Sequence, residues 1–494
     1  MATDDRRSDA GGIKFGTDGW RAVIAREFTF ANVGRAAGAI AKYLVSPQRK
    51  EQPVYADWRT EYRPAANGVV VGYDLRFLSK EFAWHFARLL HDAGIPVLVS
   101  DAAVPTPALS YAVIERRAAA GIMFTASHNP AIYNGLKVKA EFGGSAPAGV
   151  TRAIENLLDD EILEPASSAS AIRSVDLRTP LLSQVRKLID PARIKASPLL
   201  VVIDSMYGSA QGYVAQLLDE MGVAYLQIRG TRDPLFGGRG PEPLEHNLIP
   251  LRAVLASRRK ETRRMVGVAT DGDGDRLGVM DEKGGYVNAH EVYALLLRYL
   301  VEEKGWRGAV VKSFNLSDMV NDLVSEYDLE LHEVPIGFRF AAEKLMKHDV
   351  LFAGEESGSY AVRGHIPDRD GVLLSMLFAE IAASMDVPIS GLVRRLHEEL
   401  GPHMYRRNDI VVENRIEVVE RLREAPPDRF ANRPVRAVET LDGVKLRFDK
   451  GWLLFRASGT EPILRLYCEM SSKRDVDLML AEAERLARGD LTLW

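Results

Sequence analysis

Cysteine is almost absent from this chain of 494 residues: the single Cys468 excludes an intramolecular disulfide and suits a reducing compartment. An excess of charge of either sign is lacking as well. With 64 basic and 68 acidic residues the formal net charge is −4, so no global field points to nucleic acid or to a membrane surface. No apolar run approaches the roughly 20 residues that a membrane-spanning helix requires. The opening stretch MATDDRRSDAGG lacks the apolar core of a secretory signal. These absences lead to the expectation of a soluble, cytoplasmic protein with neither a nucleic-acid nor a membrane partner.

What is present is an alternation of strand-like and helix-like patterns, which argues for α/β layers with buried strands. The length predicts roughly three or four domains. VVVGYD (69–74) precedes the helical KEFAWHFARLLHDAG and the strand-like PVLVSD; LLVVID (199–204) leads into a helix at VAQLLDEMG; AVVKSF (309–314) leads into SDMVNDLVSEY. Three such units at comparable spacing suggest a repeated domain type. After about 405 the texture changes to alternating strands closed by DVDLMLAEAERLARG, an α+β arrangement. Linkers are expected at 164–180, near 285–290 and near 400–408. The expected domains are therefore 1–175, 176–288, 289–404 and 405–494.

Four motifs carry chemistry. In TASHNP (125–130) the hydroxyl of Ser127 stands beside the imidazole of His128 on a turn after an apolar run, which is how an exposed nucleophile is presented. DGDGDR (271–276) places Asp271, Asp273 and Asp275 at every second position with glycines between, so three hard oxygen ligands can be aimed at one cation. An EF-hand loop is the rival, since Glu282 falls at its twelfth position. It fails because Arg276 sits where that loop needs glycine, and because the flanks MVGVAT and LGVM read as strands. Three carboxylates with few further ligands suit one Mg²⁺ per chain.

RASGTEP (456–462) combines Arg456, Ser458, Gly459 and Thr460, with Arg465 just beyond. These are the donors that a phosphate dianion needs. GEESGS (354–359) offers Glu355 and Ser357, and carboxylates that accept bonds from vicinal hydroxyls suit a sugar. Arg21 in FGTDGWR, Lys137 in NGLKVK and Arg339 in VPIGFRF are further cations that folding could bring to these sites. In GHIPDRDG, His365 reads as a packing residue, and the loop DPLFGGRGPEPLEHN (233–247) reads as structural.

On these motifs the chain resembles the α-D-phosphohexomutase family, which includes phosphoglucomutase, phosphomannomutase and phosphoglucosamine mutase. The matches run from FGTDGWR to RASGTEP in the family's order. The resemblance implies an α/β fold of three related domains plus a C-terminal α+β domain around a central cleft. It implies that Ser127 carries a phosphoryl group and that the three aspartates, together with a phosphoserine oxygen of Ser127, hold Mg²⁺. His128, Lys137, Arg21 and Arg276 would join Ser127 in catalysis, while Arg339, Glu355 and Ser357 would read the sugar. Arg456, Ser458, Gly459, Thr460 and Arg465 would grip the phosphate that is not transferred.

The implied reaction interconverts hexose 1-phosphate and hexose 6-phosphate through a hexose 1,6-bisphosphate, which also serves as activator. Either Lys137 or His128 is the general base. Ser359 stands after Gly358 where the mannose and hexosamine branches usually carry histidine, which directs the expectation to glucose, or to dual glucose/mannose use. A metal-dependent phosphohydrolase is the rival of another class, and a non-catalytic binding module a third. The expected assembly is a monomer or homodimer.

Overall fold

The computed structural model describes residues 12–16, 18–52, 57–58, 60–261, 264–458 and 462–489. The chain forms two compact units, Met1–Val292 with Gly337–Ser390, and Tyr293–Ile336 with Gly391–Trp494.

The first sheet of the first unit contains β1 (Trp20–Val23), β2 (Val69–Tyr73), β3 (Val97–Ser100), β4 (Ala120–Phe124), β5 (Tyr133–Lys139) and β6 (Arg173–Val175), in the order β1-β5-β4-β2-β3-β6. Every residue of β2 and β4 is buried, and the two pair in parallel. Such near-continuous apolar strands are what a sheet covered by helices on both faces demands. Helix Ser79–Asp92 supplies one cover, with Phe82, Phe86 and Leu90 packed into the same core as Val69, Val71 and Phe124.

The second sheet contains β7 (Leu199–Asp204), β8 (Ala224–Ile228), β9 (Arg264–Thr270), β10 (Leu277–Met280) and β11 (Tyr286–Val287), ordered β11-β10-β9-β7-β8. Strands β7, β8 and β9 are parallel, whereas β10 turns back antiparallel to β9 across the loop 271–276. Further along, β12 (Ala309–Ser313) and β13 (Leu331–Val334) pair in parallel within the second unit. Within the first unit, β14 (Val350–Glu355) and β15 (Ser359–Val362) form a hairpin. Helix Gly371–Ser384 follows it and is buried on nearly every side, as a helix apolar all round must be.

From residue 404 the strands become antiparallel. β16 (Met404–Val411), β19 (Ala437–Glu439), β20 (Val444–Arg447), β21 (Trp452–Ala457) and β22 (Ile463–Met470) lie in the order β16-β22-β21-β20-β19, beside a short ladder of β17 (Arg429–Phe430) and β18 (Arg433–Pro434). Helix Lys473–Arg488 closes that core through Val476, Met479, Leu480 and Ala483. Three α/β regions and a terminal α+β region are thus the observed architecture. Among the described residues no single helix is long and apolar enough to cross a membrane.

The stretch 164–180, expected as a linker, carries short structure of its own. Arg173–Val175 add to the sheet edge in parallel with β3, and Arg178 opens helix Arg178–Leu188. Three residues are too few for an alternating pattern to show in the sequence.

Candidate active site

Loops at the carboxyl ends of parallel strands are where α/β sheets bind ligands, and the chemistry of the first unit gathers there. Ser127 follows β4, and Asp271, Asp273 and Asp275 follow β9. Ser127 has φ +54°, a left-handed conformation that costs an L-residue roughly 1–2 kcal/mol. Its hydroxyl donates to Oδ2 of Asp271 at 3.0 Å, and its ring neighbour His128 has Nδ1 at 3.4 Å. Gly272 is required at the junction, because a Cβ there would collide with the Ser127 carbonyl oxygen.

The three aspartates are fully buried. Asp271 Oδ1 accepts from the backbone N–H of Asp275 at 2.9 Å and of Arg276 at 3.2 Å, so the loop is curled around that carboxylate. Asp273 Oδ2 accepts from Thr106 Oγ1 at 2.5 Å and lies 2.8 Å from Lys137 Nζ. Asp275 Oδ2 is 2.9 Å from Lys137 Nζ and 2.7 Å from an Arg369 guanidinium nitrogen. Asp18 completes the group, 2.7 Å from both Lys137 and Arg369.

These contacts decide the protonation states. Burial opposes the charge on Lys137, but Asp18, Asp273 and Asp275 prevail and hold its ammonium well above the usual range. Burial, with Asp273 and Asp275 alongside, pushes the Asp271 carboxyl well up. Burial and the Arg276 and Arg21 cations push His128 well down, so its imidazole is neutral. Arg276 is 2.8 Å from His128 Nδ1 and forms an ion pair with Glu242 at 2.7 Å. Arg21 donates to the side-chain oxygen of Asn129 at 2.8 Å.

The fold therefore brings Ser127, His128, Lys137, Arg21, Arg276 and the three aspartates together. Lys137 was one of two candidate bases, and its charged state runs against that role. Asp18, Thr106, Glu242 and Arg369 are the neighbours that sequence reasoning missed. Asp18 lies inside FGTDGWR and Arg369 inside GHIPDRDG, so both motifs held a usable signal. The loop 233–247, read as structural, in fact contributes Glu242. The His365 side chain is covered and paired with Asp370 at 2.7 Å, in keeping with packing.

Elsewhere in the first unit, Glu355 ends β14, and its buried carboxylate accepts from the Gly337 N–H at 2.6 Å. Burial pushes that carboxyl upward. Ser357 donates to Ser359 at 2.9 Å, and half-buried Arg339 lies 4.8 Å from the Phe340 ring centroid. In the second unit, Arg456 and Arg465 face each other across β21 and β22. Like charges in register repel, and carboxylates relieve it: Asp442 lies 3.0 Å from Arg456, and Asp409 lies 3.9 Å from Arg465. Ser458 is buried beside them. Gly459 and Thr460 lie outside the described residues.

Residues 12–164, 180–285 and 288–400 match the family models for phosphoglucomutase/phosphomannomutase alpha/beta/alpha domains I, II and III, and 410–486 match the model for the C-terminal domain. The chain belongs to the phosphoglucomutase/phosphomannomutase family. As a phosphohexomutase it is an isomerase that works by phosphoryl transfer. A phosphoglucomutase/phosphomannomutase of Thermococcus kodakarensis is 28% identical to this phosphohexomutase over 467 residues, covering 94% of this chain and 95% of its own. A phosphoglucosamine mutase of Methanococcus maripaludis is 28% identical over 375 residues, covering 75% and 80%. A crystal structure from Thermus thermophilus, assigned as a phosphomannomutase, superposes with a TM-score of 0.83 at 34% identity, covering 97% of this chain and 99% of that one.

The family depends on Mg²⁺, and the acidic group fits a divalent ion. One oxygen from each of Asp271, Asp273 and Asp275 lies within 4.8 Å of the others. Asp273 Oδ1 and Asp275 Oδ1 are buried and have no hydrogen-bond partner among the described residues. Buried carboxylate oxygens without partners are costly unless a cation meets them.

Proposed function

We propose that this phosphohexomutase interconverts glucose 1-phosphate and glucose 6-phosphate through phospho-Ser127 and glucose 1,6-bisphosphate, the latter also serving as activator. The reading rests on one observation above all: a serine hydroxyl on a strained turn, bonded to Asp271 of a buried three-carboxylate group. Asp271, Asp273 and Asp275 would hold Mg²⁺, which when bound offsets charge on the phosphoryl oxygens.

In the first half-reaction a sugar hydroxyl oxygen bonds to phosphorus, and the phosphorus–Oγ bond of phospho-Ser127 breaks. The electron pair stays on Oγ. That oxygen takes up the proton the sugar hydroxyl releases. In the second half-reaction Oγ bonds to the phosphorus of the bisphosphate's other phosphate, and the bond from that phosphorus to the sugar oxygen breaks. The proton passes back to that sugar oxygen, while Asp271 Oδ2, 3.0 Å from Oγ, holds the hydroxyl in place. The sugar proton needs a base. Of the two candidates only neutral His128 carries a lone pair, because Lys137 is held as an ammonium. Lys137, Arg21 and Arg276 are read as charge-bearing groups for the phosphoryl oxygens.

Glu355, with both a buried carboxylate and a place at the end of a tight hairpin, is read as an acceptor for sugar hydroxyls, with Ser357 and Arg339 beside the same hairpin and loop. Arg456, Arg465 and Ser458 are read as the grip on the phosphate that is not transferred, with Gly459 and Thr460 in the same loop. Dual glucose/mannose use is the second reading, supported by the names of the Thermococcus and Thermus relatives. Two measurements test the proposal: intact-mass detection of phosphate on Ser127 after exposure to glucose 1,6-bisphosphate, and turnover of glucose, mannose and glucosamine 1-phosphates. Turnover without phosphate on Ser127 would refute the mechanism. A mannose or glucosamine preference would refute the substrate.

A further inference from the structure

Arg76 is a charged side chain only 1% exposed, and no motif discussed so far includes it. Its guanidinium donates to four backbone carbonyls: Ser127 at 2.5 Å, Asn129 at 2.7 Å, Pro130 at 3.0 Å and Tyr133 at 3.2 Å. The first three belong to the turn that presents Ser127, and Tyr133 opens β5 where that turn ends. Asp74, itself 2% exposed, lies 3.2 Å from Arg76 Nε and accepts from the Arg76 N–H and from Ser79 Oγ. Thr125 Oγ1 accepts from the Ser127 N–H at 2.8 Å. The Ser127 carbonyl is thus tied directly to the ion pair, while its N–H is held by the neighbouring Thr125 hydroxyl.

We infer that Asp74 and Arg76 form a positioning pair that holds Ser127 in its left-handed conformation, so that Oγ occupies one place in both half-reactions. This inference rests on Ser127 as the phosphoryl carrier. An arginine is needed because a rigid planar fork can serve several carbonyls at fixed directions, whereas an ammonium has three donors on a flexible stem. These bonds oppose relaxation of the turn to an ordinary conformation. The guanidinium also lies over the ring of Phe236, its Cζ 4.8 Å from the ring centroid. Phe236 belongs to the loop 233–247 that also carries Glu242, the partner of Arg276, and Pro241, whose carbonyl accepts from Gly272. The same stack therefore fixes the serine turn against the loop that steadies the acidic group.

The test compares R76K and F236L with the native enzyme by kcat, by KM for glucose 1-phosphate, and by the rate of Ser127 phosphorylation from glucose 1,6-bisphosphate. R76K keeps the buried charge but not the fork. It should lower kcat and the phosphorylation rate together, on the order of 10²-fold, the cost expected for a misplacement near 1 Å, while KM stays nearly constant. F236L should lower kcat about threefold or more with KM again constant. If R76K does not fold, F236L decides alone.

A kcat within about twofold of native in either folded variant, or a loss carried by KM, overturns the inference. S127A separates the two claims. If S127A is inactive and R76K is normal, the positioning role falls and the phosphoserine reading stands. If S127A turns over normally, the phosphoserine reading itself falls.

Discussion

The Ser127 hydroxyl and Oδ2 of Asp271 lie 3.0 Å apart although 144 residues separate them in the chain. That single bond joins the turn after β4 to the loop after β9. It sets the proposed nucleophile against one of the three carboxylates that suit a divalent ion.

Ser127→Ala should abolish mutase turnover with the fold intact, because it removes the only proposed carrier of the phosphoryl group. A coupled assay of glucose 6-phosphate formation, read beside circular dichroism, checks this. Native-like turnover from a native-like spectrum would end the mechanism.

Asp273→Asn removes one of three anionic oxygens and leaves Lys137 with one fewer partner. Turnover should fall on the order of 10²-fold or more, and Mg²⁺ titration should show weaker activation. Chelation of the native enzyme should stop turnover, and unchanged activity in excess chelator contradicts the metal assignment.

Arg456→Ala should act mainly on KM, because it removes a contact felt equally by ground and transition states. Both phosphates of the intermediate visit this grip during the cycle, so the weakened enzyme should also lose bisphosphate more often. Added glucose 1,6-bisphosphate should then restore part of the rate. A fall in kcat at constant KM that the bisphosphate does not restore would place Arg456 in the chemistry instead.

His403 offers a test of stability against pH. Burial opposes its protonation, but its bonds to Asp322 and Glu469, at 3.5 and 3.1 Å, push its pKa up to about 10. A raised folded-state pKa stabilises the fold fully below the unfolded value near 6.5, and the contribution disappears as pH rises through 10. His403→Gln should therefore be less stable than native by about 1.5–3 kcal/mol near pH 6, the range for hydrogen bonds to charged groups. The gap between the two melting temperatures should close on going from pH 6.5 to pH 10. A gap that widens over that interval reverses the sign and refutes the assignment.

Much of this was legible in the sequence because it is local. The apolar runs at 69–73 and 199–204, and the turn from α/β to α+β texture near 405, are patterns of neighbouring residues, and each became the expected kind of element. TASHNP and DGDGDR put reactive groups within one turn of each other, so their chemistry is written in consecutive letters. The cross-strand pair of Arg456 and Arg465 is nearly as local, since the two strands follow one another.

Only the tertiary structure decided what surrounds those groups. Arg369, although inside a motif, carries no letter that names its partner, and Glu242 and Arg76 stand in loops or turns that nothing periodic marks. They matter because folding places them against Asp275, Arg276 and the Ser127 carbonyl. The same holds for charge. Lys137 is a plausible base as a letter in NGLKVK, and it becomes a fixed ammonium because Asp18 and the buried Asp273 and Asp275 converge on it from two distant segments, where little water reaches to screen them.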